Sequence, residues 1–569
     1  MVAARQLSQS RTPIFALDEH VTEARGEQRN FCRRHELSNL ITIGDRMTEL
    51  NGESLTIEQL VAVARDRDEV APLSPEVQAR MERSDQWVRD SVSDNRALYG
   101  VNTGFGSLAN RQVSAAEARQ LSWNVIRACA VGVGPPLSVE IVRGMMLIRA
   151  NMLARGLSGV SPGLAATLID MLNGGVTPYV PAKGSLGASG DLAPLAHIAA
   201  VFIYNADRQD GYSGQAWYGD ELLSGADAMA RAGIARRALE AKEGLALTNG
   251  VDFMVSAGAL ALHDAENLLA NAQVAAALST EALLGLTAAF DPDLQIAGAQ
   301  PGQAMVARRL LELLEGSHLV DSAPDRVQDA YSLRCIPQVL GPVADVLSFL
   351  RGRFSAALNA ATDNPLIFPD SQGSYRSLSG GNFHGQGPAM WLDFLGIALA
   401  EVADIAERRI FRLLTPELSA GLPAMLVPTS GLDSGLMMVQ YTAAALVSDN
   451  KTLAHPDSVD SIPSCANQED HVSMGANAAR HALEILDNVR WVLAIELLAA
   501  AQAIDLRPGG PALLGRGTAR AHAAIRGRVL TLKHDRETAS DIETLADLIQ
   551  SGRLLHATNQ RDSPEVSTR

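Results

Sequence analysis

Apolar residues recur every three or four positions through long stretches of the chain, at 254–289, 340–362, 388–413, 435–453 and 472–503. That period is the mark of α-helix, because 3.6 residues per turn place such positions on one face. Several stretches, such as Ala398-Leu399-Ala400-Glu401-Val402-Ala403-Asp404-Ile405-Ala406, are too apolar for a helix lying alone on a surface. Helices buried on more than one side pack together, so the pattern predicts a long central bundle that builds its sites from facing helices. From Leu40 to about Arg111 the pattern mixes short extended pieces, short helices and turns. Residues 508–557 are more charged and shorter in period, which predicts a smaller helical cap at the bundle end.

Residues 1–38 are polar and charged without sustained periodicity and read as a flexible N-terminal extension, and 557–569 as a flexible tail. Between them there is neither a long Pro/Ser linker nor an internal repeat. The span 39–556 is therefore expected to be one unit: 39–250 as its first part, 251–507 as the central bundle, 508–556 as the cap. The expected fold class is mainly α, with a smaller mixed N-terminal region.

Composition agrees with that class. Of 569 residues 47% are hydrophobic, only 4% are aromatic, and alanine and leucine supply most of the apolar count, a bias toward helix over strand. The net charge of −16 argues against a nucleic-acid partner, whose phosphates call for a basic surface. No apolar run reaches 18 residues, and the opening MVAARQLSQSRTPIFALDEH lacks the apolar core of an export signal, so no membrane association is expected. Cys32, Cys129, Cys335 and Cys465 lie far apart and form no CxxC pair. Neither a disulfide framework nor a zinc ribbon is supported, no metal site is expected, and a reducing cytoplasm is the natural setting.

Several glycine-punctuated segments interrupt the helical pattern. In Gly184-Ser185-Leu186-Gly187-Ala188-Ser189-Gly190-Asp191 the residue before Gly190 carries a Cβ hydroxyl, and Gly190 itself has no side chain. If the Gly190 nitrogen is pressed onto the Ala188 carbonyl, the backbone can close into a five-membered ring. Loss of water then leaves an exocyclic methylene, an electrophile made from the chain itself. Taken alone, such a run is a turn. Tyr99 heads Tyr99-Gly100-Val101-Asn102-Thr103-Gly104-Phe105-Gly106, a loop whose phenol suits proton transfer if a nearby dipole or charge favours its anion. If the residues before Pro337 are helical, Gln328, Tyr331 and Arg334 share a face, and the arginine fork suits a carboxylate. Asn364 precedes Pro365 and is forced toward extended backbone, its amide free to face a cavity. Phe383 and His384 lie in a glycine-rich turn before the helix near Pro388. Glu469 and Asp470 stand at the expected start of a long helix, where capping is the first reading and a catalytic or recognition carboxylate the second. Asn249 closes Glu243-Gly244-Leu245-Ala246-Leu247-Thr248-Asn249-Gly250. There is no phosphate loop and no H-E-x-x-H pair.

Together these segments, in this order and approximate spacing from about Leu40 to Leu555, resemble the aromatic amino acid ammonia-lyases. The wording SDNKTLAHPDSVDSIPSCANQEDHVSM is most similar to the histidine-specific members. The resemblance implies that Ala188, Ser189 and Gly190 cyclise to 4-methylidene-imidazol-5-one (MIO), with no external cofactor. It implies that Tyr99 removes the substrate β-proton and that Arg334 holds its carboxylate. Asn249, Gln328 and Tyr331 would order substrate and electrophile, Asn364 and Phe383 would line the site, and Gly106 and Leu186 would lie close to the substrate. It further implies a homotetramer whose active sites take residues from three subunits. The ring-selecting pair falls at Ala128 and Cys129, where neither the histidine nor the tyrosine and phenylalanine pattern is present, whereas Met437 and Glu469 match the histidine type. The implied reaction is elimination of ammonia from an L-aromatic amino acid, L-histidine to urocanate first. A tyrosine or phenylalanine ammonia-lyase, or an MIO-dependent 2,3-aminomutase, is the alternative.

Overall fold

Five long helices form the frame, α1 (Asp252–Ala282), α2 (Ile336–Ala357), α3 (Gln386–Leu414), α4 (Met437–Leu453) and α5 (Gly475–Leu506). The computed structural model describes residues 47–559 apart from 107–109, 206–210, 324 and 372. The expected extension at 1–38 and all but the start of the tail lie outside the described residues. The architecture is mainly helical, as the periodicity predicts. Two helices stop earlier than their apolar patterns. The first ends at Ala282 because Leu284 adopts a left-handed φ of +54°, and Thr287–Phe290 forms a separate 3-10 turn. The second ends at Ala357, after which the Asn359 side chain bonds both the Leu55 backbone and the Ser355 carbonyl of the helix's last turn.

α1, α3 and α5 pack side by side, and their mutual faces are almost wholly apolar. One charged junction crosses them. Arg409 on α3 donates to both oxygens of Glu496 on α5 at 2.5 and 2.9 Å, both side chains fully buried, and Ser279 on α1 donates to the same carboxylate at 2.7 Å. Such a forked, fully bonded pair fixes the register of three helices that alanine and leucine alone would let slide.

The N-terminal part differs from the expectation of short pieces between Leu40 and Arg111. Pro75–Ser93 is a 19-residue helix. Ser74 accepts from the Val77 N–H, Pro75 opens the helix, and Val77, Met81, Val88 and Val92 are buried on one face. The charged residues on its other face mask this stripe in the sequence. Among the described residues four small sheets accompany the helices. One matters for the site: Val133–Pro136 pairs antiparallel with Pro181–Lys183, joining the segment that follows Cys129 to the segment that precedes Gly184. The Gly132 N–H also donates to His197 Nε2 at 3.1 Å.

Past α5, three shorter helices, Arg516–Arg526, Ala539–Gln550 and Arg553–Asn559, pack on the ends of α1 and α5. Among the described residues no helix is long and apolar enough to cross a membrane.

Candidate active site

The run from Gly184 leaves the strand Pro181–Lys183 and enters the helix Leu192–Phe202. Gly187 and Gly190 take left-handed φ values of +77° and +74°. A Cβ on Gly190 would stand 1.9 Å from the Gly250 carbonyl oxygen and 2.8 Å from that of Phe383, and one on Gly187 would stand 2.0 Å from Ser473 Oγ. Only glycine meets both the conformation and the contact. Ala188-Ser189-Gly190 is thus pressed against the backbone of two other elements.

Asp191 fastens this loop. Its N–H donates to the Gly250 carbonyl at 2.6 Å, and its carboxylate accepts from the Phe253 and Met254 N–H groups at the head of α1, at 2.9 and 3.2 Å. Burial pushes its pKa up to about 7; the Met254 and Phe253 N–H groups work against that rise and the neighbouring Asp252 adds to it. The Gly250 N–H donates in turn to Ser189 O at 3.4 Å. Asn249, one residue earlier, donates through Nδ2 to the Asn364 carbonyl at 2.9 Å. The Asn364 side chain is not free, contrary to expectation: its Oδ1 accepts from the Gly380 N–H at 2.9 Å.

On the other side of Ser189 stands Glu469. Ser189 Oγ donates to its Oε1 at 3.4 Å, and Ser464 Oγ donates to its Oε2 at 2.8 Å. The capping role expected for Glu469 and Asp470 is not found, because α5 begins only at Gly475 and 464–469 closes on itself through the Ser464 N–H and Glu469 carbonyl. Cys129 is the last residue of the helix Ala115–Cys129, directly after the exposed Ala128. Its thiol is pushed up to about 11, first by burial and then by the charge of Glu469. The Tyr99 hydroxyl accepts from the Gly106 N–H at 3.2 Å, and a Cβ on Gly106 would lie 2.5 Å from Cys465 Sγ, so the Tyr99 loop abuts the 464–469 loop. The Leu186 carbonyl accepts from the Met474 N–H at 3.0 Å, and Leu186 packs with Ala188, Val472 and Met474.

Gln328, Tyr331 and Arg334 form a second group. The helix expected before Pro337 is only the turn Tyr331–Arg334, and Gln328 lies in irregular chain ahead of it, so the shared helical face does not exist. The three meet all the same. The Arg334 guanidinium sits 4.7 Å from the Tyr331 ring centroid, and the Gln328 amide oxygen, once its amide is turned, accepts from the same guanidinium. Among the described residues no hydrogen bond or ring contact joins this group to the Ser189 loop. Tyr331 is 70% exposed and the adjoining Val327 95%. Met437 also stands apart, opening α4 where the Ser434 and Gly435 N–H groups donate to Asp535. His384 is tied locally: its Nδ1 accepts from the Gln386 N–H, and its Nε2 lies 3.1 Å from the His471 carbonyl.

Sequence reasoning missed the groups that hold the site. Besides Asp191, these are two buried ion pairs, Arg149–Asp252 and Lys242–Asp363. Lys242 immediately precedes the Glu243–Gly250 segment, but nothing local names its partner. No cluster of three or more metal-ligating side chains occurs among the described residues.

A helical bundle that presses an Ala-Ser-Gly turn onto a glycine corner, with a carboxylate beside it and a phenol on the loop that abuts that carboxylate's own, is here the frame of a carbon–nitrogen lyase, the class of the family and relatives that this chain matches. The chain belongs to the aromatic amino acid lyase family, whose model matches residues 55–527. The histidine ammonia-lyase of Symbiobacterium thermophilum is 50% identical over 507 residues, 89% of this chain and 97% of that protein. The crystal structure of histidine ammonia-lyase from Trypanosoma cruzi is similar with a TM-score of 0.82 at 37% identity, over 90% of this chain and 95% of that one. A tyrosine aminomutase from Streptomyces globisporus is similar with a TM-score of 0.83, also at 37% identity, over 90% and 98% of the two chains. The chain is therefore an enzyme that eliminates ammonia from an aromatic amino acid.

Proposed function

We propose that this enzyme converts L-histidine to urocanate and ammonia, using an MIO group made from Ala188, Ser189 and Gly190. The observation that carries the reading is the seat of that loop. The carbonyls of Gly250 and Phe383 close on Gly190 so tightly that no side chain fits, which is the crowding a ring closure between Gly190 N and the Ala188 carbonyl requires. Ser189 supplies the Cβ hydroxyl whose loss as water gives the methylene. The residues present therefore fit the group. When formed, MIO supplies an electrophilic methylene that draws electrons from the substrate and so eases departure of ammonia.

The chain's own residues do the rest. A β-proton is weakly acidic, so its removal needs a base held in place; Tyr99, fixed by the Gly106 N–H, is that base. Arg334 grips the substrate carboxylate with its fork, held by Gln328 and Tyr331. Asn249 orders substrate and electrophile, Asn364 and Phe383 line the cavity, and Gly106 and Leu186 bound it. Glu469 accepts from a ring nitrogen, while Cys129 offers a neutral thiol beside it.

The separation of the Arg334 group from Ser189 within one chain supports a homotetramer with sites shared between subunits. So does the apolar stripe that α3 leaves exposed at Met390, Phe394, Ile397 and Phe411. Four cysteines without paired spacing support a cytoplasmic setting. A second reading, a bulkier aromatic substrate or a 2,3-aminomutase, draws on Ala128 and Cys129, which leave room and remove a polar partner at the ring end. Incubation with histidine, tyrosine, phenylalanine and their β-isomers decides. Equimolar urocanate and ammonia from histidine is the expected result, and no unsaturated or β-amino acid from any of them would sink both readings.

A further inference from the structure

Lys242 has no solvent exposure, and its Nζ lies 2.5 Å from Asp363 Oδ2, equally buried. Neither residue has a part in the steps above. A buried ion pair recovers its desolvation cost only with good geometry and further bonds, so it is a weak reason for stability by itself. Its place in the network says more. Asp363 Oδ1 accepts from the Asn364 N–H at 2.6 Å, and the Asn364 carbonyl accepts from Asn249 Nδ2 at 2.9 Å. Asn249 ends the helix Glu243–Thr248, and Lys242 heads that same helix. The Lys242 carbonyl accepts from the Ala246 N–H and the Leu245 carbonyl from the Asn249 N–H, at 3.0 and 2.9 Å. The bonds thus run in a closed circuit from Lys242 through Asp363, Asn364 and Asn249 and back along the helix. On its far side the Asn249 carbonyl is held by Arg149 Nη1 at 2.6 Å. Gly250 then carries the constraint to Ser189 and Asp191.

We propose that the Lys242–Asp363 ion pair is a positioning device that sets the Asn249 carboxamide and the Gly250 corner against the Ser189 loop. It serves the chemical step and ring closure and not substrate affinity. The proposal rests on the reading of Ala188-Ser189-Gly190 as the electrophile's source. Displacements of about 1 Å at a reacting site cost on the order of 10²-fold in rate.

The test compares wild type, the charge-free pair Lys242→Met with Asp363→Leu, Asn249→Ala, and the triple variant. Turnover is measured on the amino acid that wild type consumes, and the loss of two waters from freshly synthesised chain is followed by intact mass. The charge-free pair and Asn249→Ala are each expected to lower kcat on the order of 10²-fold with KM within about threefold. The triple variant is expected to be no slower than Asn249→Ala, and ring closure is expected to slow with kcat. A folded charge-free pair with wild-type kcat, losses that multiply, or a loss confined to KM would overturn the proposal. Should the charge-free pair fail to fold, Lys242→Arg is read alone and with Asn249→Ala, and multiplied losses there overturn it. Wild type that consumes no aromatic amino acid refutes the functional reading, while the mass measurement still tests the pair.

Discussion

On the proposed function Ser189 and Cys129 carry the two halves of the chemistry, reaction type and ring choice. Subunits of the natural chain are expected to weigh two waters less than the sequence requires, and Ser189→Ala to show its full mass and no turnover; intact-mass spectrometry checks this. Cys129 titrates high because it is partly buried and faces the charge of Glu469. A thiol whose pKa is raised in the folded state binds its proton more tightly there. Its contribution to stability is therefore complete below the ordinary thiol value and lost as pH rises toward 11. Melting temperature is expected to fall more steeply for wild type than for Cys129→Ala above about pH 9, the range where ordinary thiols ionise. Parallel slopes by scanning calorimetry would remove that account. Cys129→His places an imidazole beside Glu469 and is expected to raise kcat/KM for histidine by about tenfold, the worth of one good hydrogen bond to a charged group. Steady-state kinetics with histidine and phenylalanine measures the switch. The Ser189 loop was legible from sequence because Ala-Ser-Gly holds every atom of the proposed ring, although only the other segments, in order, lifted it above an ordinary turn. Asp191, beside it, was not singled out, since its partners on α1 lie 62 and 63 residues further on.

At the scale of elements, the long helices were legible because apolar spacing alone marks them, and their ends were not. Leu284 stops α1 by taking a conformation that no periodicity announces. The Arg409–Glu496–Ser279 junction that joins α3, α5 and α1 is equally silent in sequence: Glu496 is a lone carboxylate in an apolar run, Arg409 is one of the three charged residues 407–409, Ser279 opens Ser279-Thr280-Glu281, and nothing local pairs them. Glu496→Gln leaves Arg409 buried without a counter-charge, and a loss of about 3–5 kcal/mol is expected in denaturant unfolding. A loss near zero would mean that the junction relaxes by admitting water. Gln328, Tyr331 and Arg334 converge without the helix that spacing suggested, because the chain wraps Gln328 back onto the guanidinium.

For the whole molecule, the Arg334 group and the Ser189 loop stand apart within one chain, and tetramerisation is the proposal that reunites them. Ser189→Ala and Arg334→Ala chains should each be inactive. Mixed through unfolding and refolding, they are expected to recover part of the wild-type activity, because some shared sites then receive both intact residues. No recovery in mixtures that sediment as mixed tetramers would place both groups in a single subunit's site. Replacing Phe394 and Ile397, on the exposed stripe of α3, with glutamate is expected to yield smaller species without turnover.

Hydrophobic spacing by itself determined that this protein is a helical bundle, since burial of a periodic apolar face is a local property written along the chain. The Ala-Ser-Gly run pointed to its proposed chemistry only in company with the other glycine-punctuated segments, since alone it reads as a turn. Only the tertiary structure decided what surrounds that run. The carbonyls that crowd Gly190 belong to Gly250 and Phe383, the carboxylate beside Ser189 lies 280 residues further on, and the ion pair behind Asn249 joins residues 121 apart, so only the packing of the bundle brings these partners together.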